Sequence, residues 1–226
     1  MKSKVKIGLC TGISLIVAFV IWTVLVKTVD VKPLGQKGTD IGFATFNVWF
    51  HKLTGEHLFL YKLGDIVEII PLLVCAFFGL VGVGQLIKRR KVSKVDSDII
   101  LLGIYYVVVI LAYVFFEVVH INYRPVLIEG ALEASYPSST TLLVLSVMPT
   151  LKFQFDRRFK KSTTTLVVSV FVIVYSIFML IARAVSGVHW ATDIIGSILL
   201  SAGLFITYCS AVALVDDNEG KSKDYN

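Results

Sequence analysis

Three short polar stretches carry the residues whose types and spacing could do chemistry: NYRP at 122–125, YPSSTT at 136–141 and ARAVSGVHWATD at 182–193. In the third, His189 and Asp193 stand four apart at the start of an apolar helix and therefore share one face. A carboxylate so placed can hold one imidazole nitrogen and leave the other free as a nucleophile. Taken alone, the pair equally suits a buried hydrogen-bonded couple. Arg183 precedes His189 by six residues, across a connection containing Gly187, and a tight turn there returns the arginine toward the histidine. In the second stretch, Ser138, Ser139 and Thr140 open an apolar helix. A serine there caps the helix, but the free amides and the positive dipole end also attract an anion. The first stretch supplies Arg124, followed by Pro125. Its planar fork can donate two bonds to a phosphate; alone, it also suits an interfacial arginine with a buried stem. Together these stretches hold two fixed positive charges, a run of hydroxyls and an imidazole near a carboxylate. That set is suited to holding a phosphate group and attacking it.

The elements that must position these residues are hydrocarbon-compatible. The hydrophobic fraction is 56% and the mean hydropathy +0.79, above the roughly 45–50% apolar content of ordinary soluble domains. Several apolar runs are long enough to cross a hydrocarbon core of about 30 Å. The chain therefore reads as all-α, an integral membrane bundle of about six transmembrane helices, at 7–26, 66–87, 99–121, 139–153, 164–182 and 189–215. Residues 1–6 precede a single membrane domain at 7–215, which contains an outer loop at 27–65 and the motif region at 117–196. The charged tail at 216–226 has a disordered composition.

The net charge of +6 invites a nucleic-acid partner, but the distribution explains it without one. Lysines and arginines cluster before the first span, after the second, between the fourth and fifth, and in the tail. With six spans, all four clusters fall on one side, which the positive-inside rule makes cytoplasmic. A multi-pass protein of the cell membrane results, with both termini inside and the three polar stretches facing outward. The first span exceeds a secretory h-region and lacks a small-residue cleavage pattern after Val26, so it reads as an uncleaved anchor. Within the outer loop, 43–53 is amphipathic and carries Phe46, Trp49 and Phe50; it suits either an interfacial helix or a connector over the bundle. His51 and His57 read as surface residues. Cys10, Cys75 and Cys209 are scattered through spans without metal or redox spacing, no carboxylate cluster suggests a divalent metal, and no cofactor is expected. Gly79, Gly82, Gly84, Gly196 and Gly203 would let spans pack closely.

In chain order the polar stretches run Arg-Pro, Pro-Ser, Arg-x5-His-x3-Asp. This order resembles the type 2 phosphatidic acid phosphatase and haloperoxidase-like superfamily, in its membrane lipid phosphatase branch. The resemblance covers about 117–196 by motif and most of the chain by topology. It implies that His189 attacks phosphorus to form a phosphohistidine and that Asp193 orients it. Arg124, Arg183, Ser138 and the amides after Ser138 would cradle the phosphoryl oxygens, with the hydroxyls of Ser139 and Thr140 as added donors. The partner implied is a membrane lipid phosphate, and the chemistry needs no metal.

The match has departures. The lysine that usually opens the first motif is Glu117, the usual glycine and histidine closing the second are Ser139 and Thr140, and the serine before the third-motif arginine is Ala182. The usual general-acid histidine is therefore absent. An alkoxide leaving group, whose conjugate acid lies near water at about 15.7, needs a proton as it departs, whereas a phosphate, with a second pKa of about 6, does not. Without a replacement acid, an isoprenoid diphosphate would be a better substrate than phosphatidic acid. Glu117, Glu129, Glu133 and His120 lie near the outer end of the third span or in the loop after it, and Glu133 is the preferred replacement, with Glu117 next; for any single one a solvated loop residue or an ion pair with Arg124 is the commoner role. Two other classes compete. A relative that binds lipid phosphate without turnover is favoured by the lost lysine and histidine and opposed by the retained His189 and Asp193. A transporter fits less well, because the polar residues gather at one surface rather than at mid-membrane.

Overall fold

The structure, a computed structural model, describes residues 2–159 and 163–224. It is built of helices α1 (Lys2–Thr28), α2 (Ala44–Thr54), α3 (Leu58–Val67), α4 (Ile69–Arg89), α5 (Ser97–Val118), α6 (Ser139–Arg158), α7 (Thr163–Val185) and α8 (Ala191–Asp224). Five stretches are long and apolar enough to cross a membrane: Ser3–Thr28, Leu58–Arg89, Ser97–Val118, Thr163–Val185 and Ala191–Asn218. They present residues such as Val17, Leu80, Leu111 and Val170 on their exposed faces, as lipid contact requires.

The expected span at 139–153, α6, is not among the five, and it organises the bundle from within. Helices α4, α5, α7 and α8 pack around it, so it need not be apolar. Its Ser146, Thr150 and Gln154 are fully buried. Thr150 shares a hydrogen bond of 2.7 Å with the Tyr106 hydroxyl, and the Gln154 amide donates to the Tyr208 hydroxyl at 2.7 Å. Inside hydrocarbon such paired groups hold helices together where burial of apolar surface contributes little. Around them, Leu102, Tyr105, Val144, Val147, Met148, Met179 and Val212 form the main core.

One helix break shapes the polar end of the bundle. Pro71 has no N–H to give the Val67 carbonyl four residues earlier, and its ring crowds that carbonyl. The helix accordingly stops at Val67 and restarts at Ile69, with Glu68 between. The freed Val67 carbonyl accepts the Tyr175 hydroxyl of α7 at 3.1 Å instead. Elsewhere, α1 lies along α8 at close range: a Cβ added to Gly203 would stand 3.0 Å from the Gly12 carbonyl oxygen. Gly79 and Gly84 play no such part, since a Cβ at either meets nothing within 4 Å.

The up-and-down path gives the bundle two polar ends. At the basic end, the start of α5 and the ends of α6 and α8 are tied together. Arg157 holds Asp216 through both terminal nitrogens, at 2.7 and 3.0 Å, and Asp98 through Nε at 3.3 Å; Arg158 reaches Asp98 at 3.1 Å. Lys160 and Lys161, counted in the basic cluster, lie outside the described residues. The tail that composition marks as disordered instead continues α8 to Asp224. At the other end, α2 covers the bundle as a connector. Asn47 donates to Thr192 Oγ1 at 2.9 Å and accepts from the Thr192 amide at 3.2 Å, while Phe46 and Trp49 remain exposed.

Candidate functional site

All three polar stretches meet at the end opposite the basic one. Between α5 and α6 the chain folds into a short hairpin, with a bridge between Tyr123 and Ala134. Its tip, 128–131, has positive φ at Glu129 and Gly130, the geometry of a two-residue hairpin turn. The Arg124 amide donates to the Glu133 carbonyl at 3.0 Å and the Ser135 amide to the Asn122 carbonyl at 2.9 Å. This ladder sets Arg124 and Ser135 beside the start of α6.

His189 sits in the turn joining α7 to α8. Gly187 permits that turn: its φ is +75°, and a Cβ there would stand 2.3 Å from the Gly55 carbonyl oxygen, so the turn also lies tight against the α2–α3 connection. The His57 amide donates to the Ser186 carbonyl at 2.9 Å, and His51 Nε2 donates to the Gly187 carbonyl at 3.1 Å. His51 is thus half-buried against Trp190, not the surface residue the sequence suggests; His57 is exposed.

The imidazole of His189 is held from one side. Nδ1 lies 3.1 Å from the Ser135 carbonyl oxygen and 3.8 Å from Asp193 Oδ2. A carbonyl can only accept, so Nδ1 carries the proton and Nε2 is left with its lone pair. Asp193 is fully buried and has other work as well. Its Oδ2 accepts the Trp190 amide at 2.9 Å, reaching back from the third helical residue to the residue before the helix as in a capping box, and its Oδ1 accepts from Asn122 at 3.4 Å. The Ser135 carbonyl is therefore the nearer orienting partner, with Asp193 as the counter-charge behind it. Burial pushes the His189 imidazole below its usual value and the charges of Arg124 and Arg183 add to this, against the opposing pull of Asp193. The neutral, attacking form is favoured.

Both arginines of the motifs lie against one ring. The Tyr61 face of α3 stands 5.0 Å from the Arg183 guanidinium carbon and 5.5 Å from that of Arg124, within cation–π range. Gly64, one turn on, lies beside the Arg183 guanidinium, where a Cβ would make ordinary contact with Nε at 3.5 Å. Arg183 is 2% exposed. Its Nη2 donates to Asp65, to Thr140 Oγ1 at 2.7 Å and to Glu68 Oε2 at 3.5 Å. Arg124 Nε faces Glu133 at 3.2 Å. Each guanidinium nevertheless keeps a buried nitrogen, Arg183 Nε and Arg124 Nη1, with no hydrogen-bond partner, and the Ser135 hydroxyl is likewise unbonded. Unsatisfied buried donors cost about 1–3 kcal/mol each. Two of them on arginines sharing one ring face, with Arg183 also bonded to Thr140 at the start of α6, are what an anion would satisfy.

The serines divide. Ser138 is fully buried and its hydroxyl bonds Thr141 at 3.0 Å. Ser139 shares a small cavity wall with His189, Ser135 and Glu117. Thr140 turns from that cavity toward the α3–α4 break, donating to Glu68 Oε2 at 2.7 Å and accepting from Arg183 Nη2 at 2.7 Å. Of the carboxylates anticipated as acids, Glu133 is 40% exposed and ion-paired to Arg124, while Glu117 lines the cavity beside His189. Tyr61, Asp65 and Glu68 are absent from the motifs altogether. Asp65 and Glu68 did carry a signal, being acids within or beside a long apolar run, where ionisable residues are functional candidates by default. Among the described residues, no three His, Cys, Asp or Glu side chains gather as a metal would require.

Comparison with known proteins adds a family and a fold. The sequence model of the PAP2 superfamily matches residues 99–215. No curated protein sequence matches the chain. Among solved structures, the fold is similar to one described as the first transmembrane PAP2 type phosphatidylglycerolphosphate phosphatase from Bacillus subtilis. The TM-score is 0.63 at 17% identity, over 92% of this chain and 96% of that one.

Proposed function

Because the chain belongs to the PAP2 superfamily, we propose that it is a membrane lipid phosphatase, removing or transferring a phosphate from a lipid phosphate or isoprenoid diphosphate through a phosphohistidine. The observation that carries this is the pair of part-unbonded guanidiniums over the Tyr61 ring, one of them bonded to the first turn of α6, beside an imidazole whose Nδ1–H is held by a carbonyl. His189 Nε2 attacks phosphorus as the bond to the leaving oxygen breaks. Arg124, Arg183 and the first amides of α6 stabilise the charge on the phosphoryl oxygens, in fixed positions prepared before the reaction. The imidazolium formed is balanced by Asp193, 3.8 Å from Nδ1. Water, or an acceptor alcohol, then takes the phosphoryl group and restores the histidine. The scheme uses fixed arginine charge and no metal. Distribution of the lysines and arginines supports a cytoplasmic basic end and a site at the outer face.

The test is phosphate release by detergent-purified protein from phosphatidic acid, a phosphatidylglycerol phosphate and a polyprenyl diphosphate, with His189→Ala as control. Release abolished by the substitution is the expected result; release equal in both proteins overturns the assignment. A second reading draws on the carboxylates that already engage the arginines, Asp65 and Glu68 on Arg183 and Glu133 on Arg124. It is a protein that binds lipid phosphate without turnover. Saturable binding of those lipids with no release would establish it in place of the enzyme.

A further inference from the structure

Catalysis on a phosphate monoester needs a proton for the departing oxygen, and the residue that supplies it should stand between the phosphate cradle and the space that holds the rest of the lipid. Among the described carboxylates, Glu68 meets that condition best. Glu68 sits at the Pro71-induced break between α3 and α4. Its Oε2 lies 2.7 Å from Thr140 Oγ1 in the first turn of α6 and 3.5 Å from Arg183 Nη2, so it touches the cradle. On its other side it lines an apolar groove of about 340 Å³ with Leu72, Val109, Ile110, Tyr113 and Leu143. Tyr113 and Leu142 border both that groove and the small cavity beside His189. A lipid whose phosphate reached the cradle and whose chain lay in the groove would carry its bridging oxygen past Glu68.

We propose that Glu68 is the general acid of this site, protonating the leaving oxygen of a lipid phosphate monoester, a role that rests on the lipid phosphatase reading above. The other carboxylates are less well arranged. Asp65 is committed to Arg183, and Glu133 to Arg124 with 40% exposure. Glu117 reaches the His189 cavity, but among the described residues no hydrogen bond or ion pair joins it to either arginine or to α6. Because Asp65 already neutralises Arg183 at shorter range than Glu68, a proton on Glu68 sacrifices no ion pair that the site depends on. In the first half-reaction, the His189 Nε2–P bond forms, the P–O bond to the lipid breaks, and the Glu68 proton moves to the departing oxygen. In the second, Glu68 takes a proton from water as the water oxygen bonds phosphorus and the N–P bond breaks. Neutral His189, protonated Glu68 and inorganic phosphate result. With an acid in place, the bias toward diphosphates expected from the missing histidine disappears.

The experiment compares a prenyl monophosphate with the prenyl diphosphate of the same chain length, whose leaving oxygens are a basic alkoxide and a far less basic phosphate. Wild type, Glu68→Gln, Glu68→Asp and His189→Ala are assayed for phosphate release. Glutamine keeps the acceptor for Thr140 and Arg183 but has no proton to give. Monophosphate turnover should fall by about 10²-fold or more, the scale of a lost general acid, and the monophosphate-to-diphosphate ratio should fall with it by at least about tenfold. An equal loss on both substrates overturns the proposal and leaves Glu68 a positioning residue for Arg183, and so does an unchanged monophosphate rate. Should Glu68→Gln fail to fold, the same ratio read on Glu68→Asp decides, an unchanged ratio counting against. If wild type and His189→Ala release equal phosphate from both lipids, the phosphatase reading itself fails and the acid role falls with it. That outcome is distinct from a His189-dependent enzyme indifferent to Glu68.

Discussion

Both ends of this bundle gather two arginines and two or more carboxylates, yet the two clusters differ in how completely they are satisfied. At the basic end every guanidinium nitrogen of Arg157 is bonded, to Asp216 and Asp98, and Arg158 shares Asp98. The ring contact there, Phe153 under Arg157 at 5.7 Å, completes a tie between α5, α6 and α8. At the site end the same ingredients leave Arg183 Nε and Arg124 Nη1 buried and unbonded, beside a histidine with a free ring nitrogen. A satisfied arginine cluster is a joint, and an unsatisfied one is a receptor. Charge counting cannot separate the two; a census of the donors does.

The largest difference between the two ends should appear at the nucleophile. His189→Ala should lower phosphate release by a factor on the order of 10⁴–10⁶, the range seen when a nucleophile is removed, while no substitution at the basic end should approach this. Next, lysine replacements test the two clusters against one another. Arg183→Lys should reduce turnover about 10²–10³-fold, the effect of losing a fixed donor to developing charge. Arg157→Lys should alter turnover by no more than about threefold, as for a change remote from the site. Equal losses in the two variants would erase the difference between joint and receptor.

Stability should move in the reverse direction. Asp98, buried and shared by Arg157 and Arg158, is predicted to lower the detergent melting temperature when changed to Asn. The loss should be about 1–2 kcal/mol, discounted because both arginines are about a third exposed and screened by solvent, and turnover per folded molecule should persist. Tyr61→Leu removes the ring face that both site arginines share; at about 0.5–2 kcal/mol per stacked cation, turnover should drop several-fold to about thirtyfold, with little change in melting.

The smallest effect concerns pH. Burial lowers the His189 value, so protonation of the nucleophile sets in only at a pH below that of an ordinary histidine. The acid limb of turnover should therefore lie below about 6.5, and a limb at or above that value would contradict the buried, neutral imidazole. The linkage to stability has the same sign. The native state holds fewer protons than the unfolded chain, so this contribution to stability is present above about 6.5 and is lost as pH falls through the folded value.

Much of the fold was legible beforehand because membrane spans are written as composition. Runs of Val, Ile, Leu and Phe give α1, α4, α5, α7 and most of α8 almost to their ends, and span parity brings the polar stretches to one end. The segment expected as the fourth span was short and polar at its start in the sequence for a reason visible only in the packing: other helices sheathe most of α6, so it need not be apolar all round. The tail was misread because a charged segment can extend a helix whose preceding turns are already anchored, here through Asp216 to Arg157. Gly79 and Gly84 show the reverse, small residues in a span that no neighbour approaches.

Composition and spacing were enough to mark which residue types could act, since Arg124, Ser138, Arg183, His189 and Asp193 are chemical exceptions in an apolar chain and their spacing is local. The sequence also carries the family, through residues 99–215. Tertiary structure decided which partners those residues have. The nearer hydrogen-bond partner of the His189 ring is a carbonyl of Ser135, 54 positions away; the arginines are spaced by Tyr61 and Arg183 is met by Asp65 and Glu68, from α3 and the break that follows it. A backbone carbonyl leaves no mark in composition, and a carboxylate more than a hundred residues away acquires meaning only when packing sets it against a guanidinium.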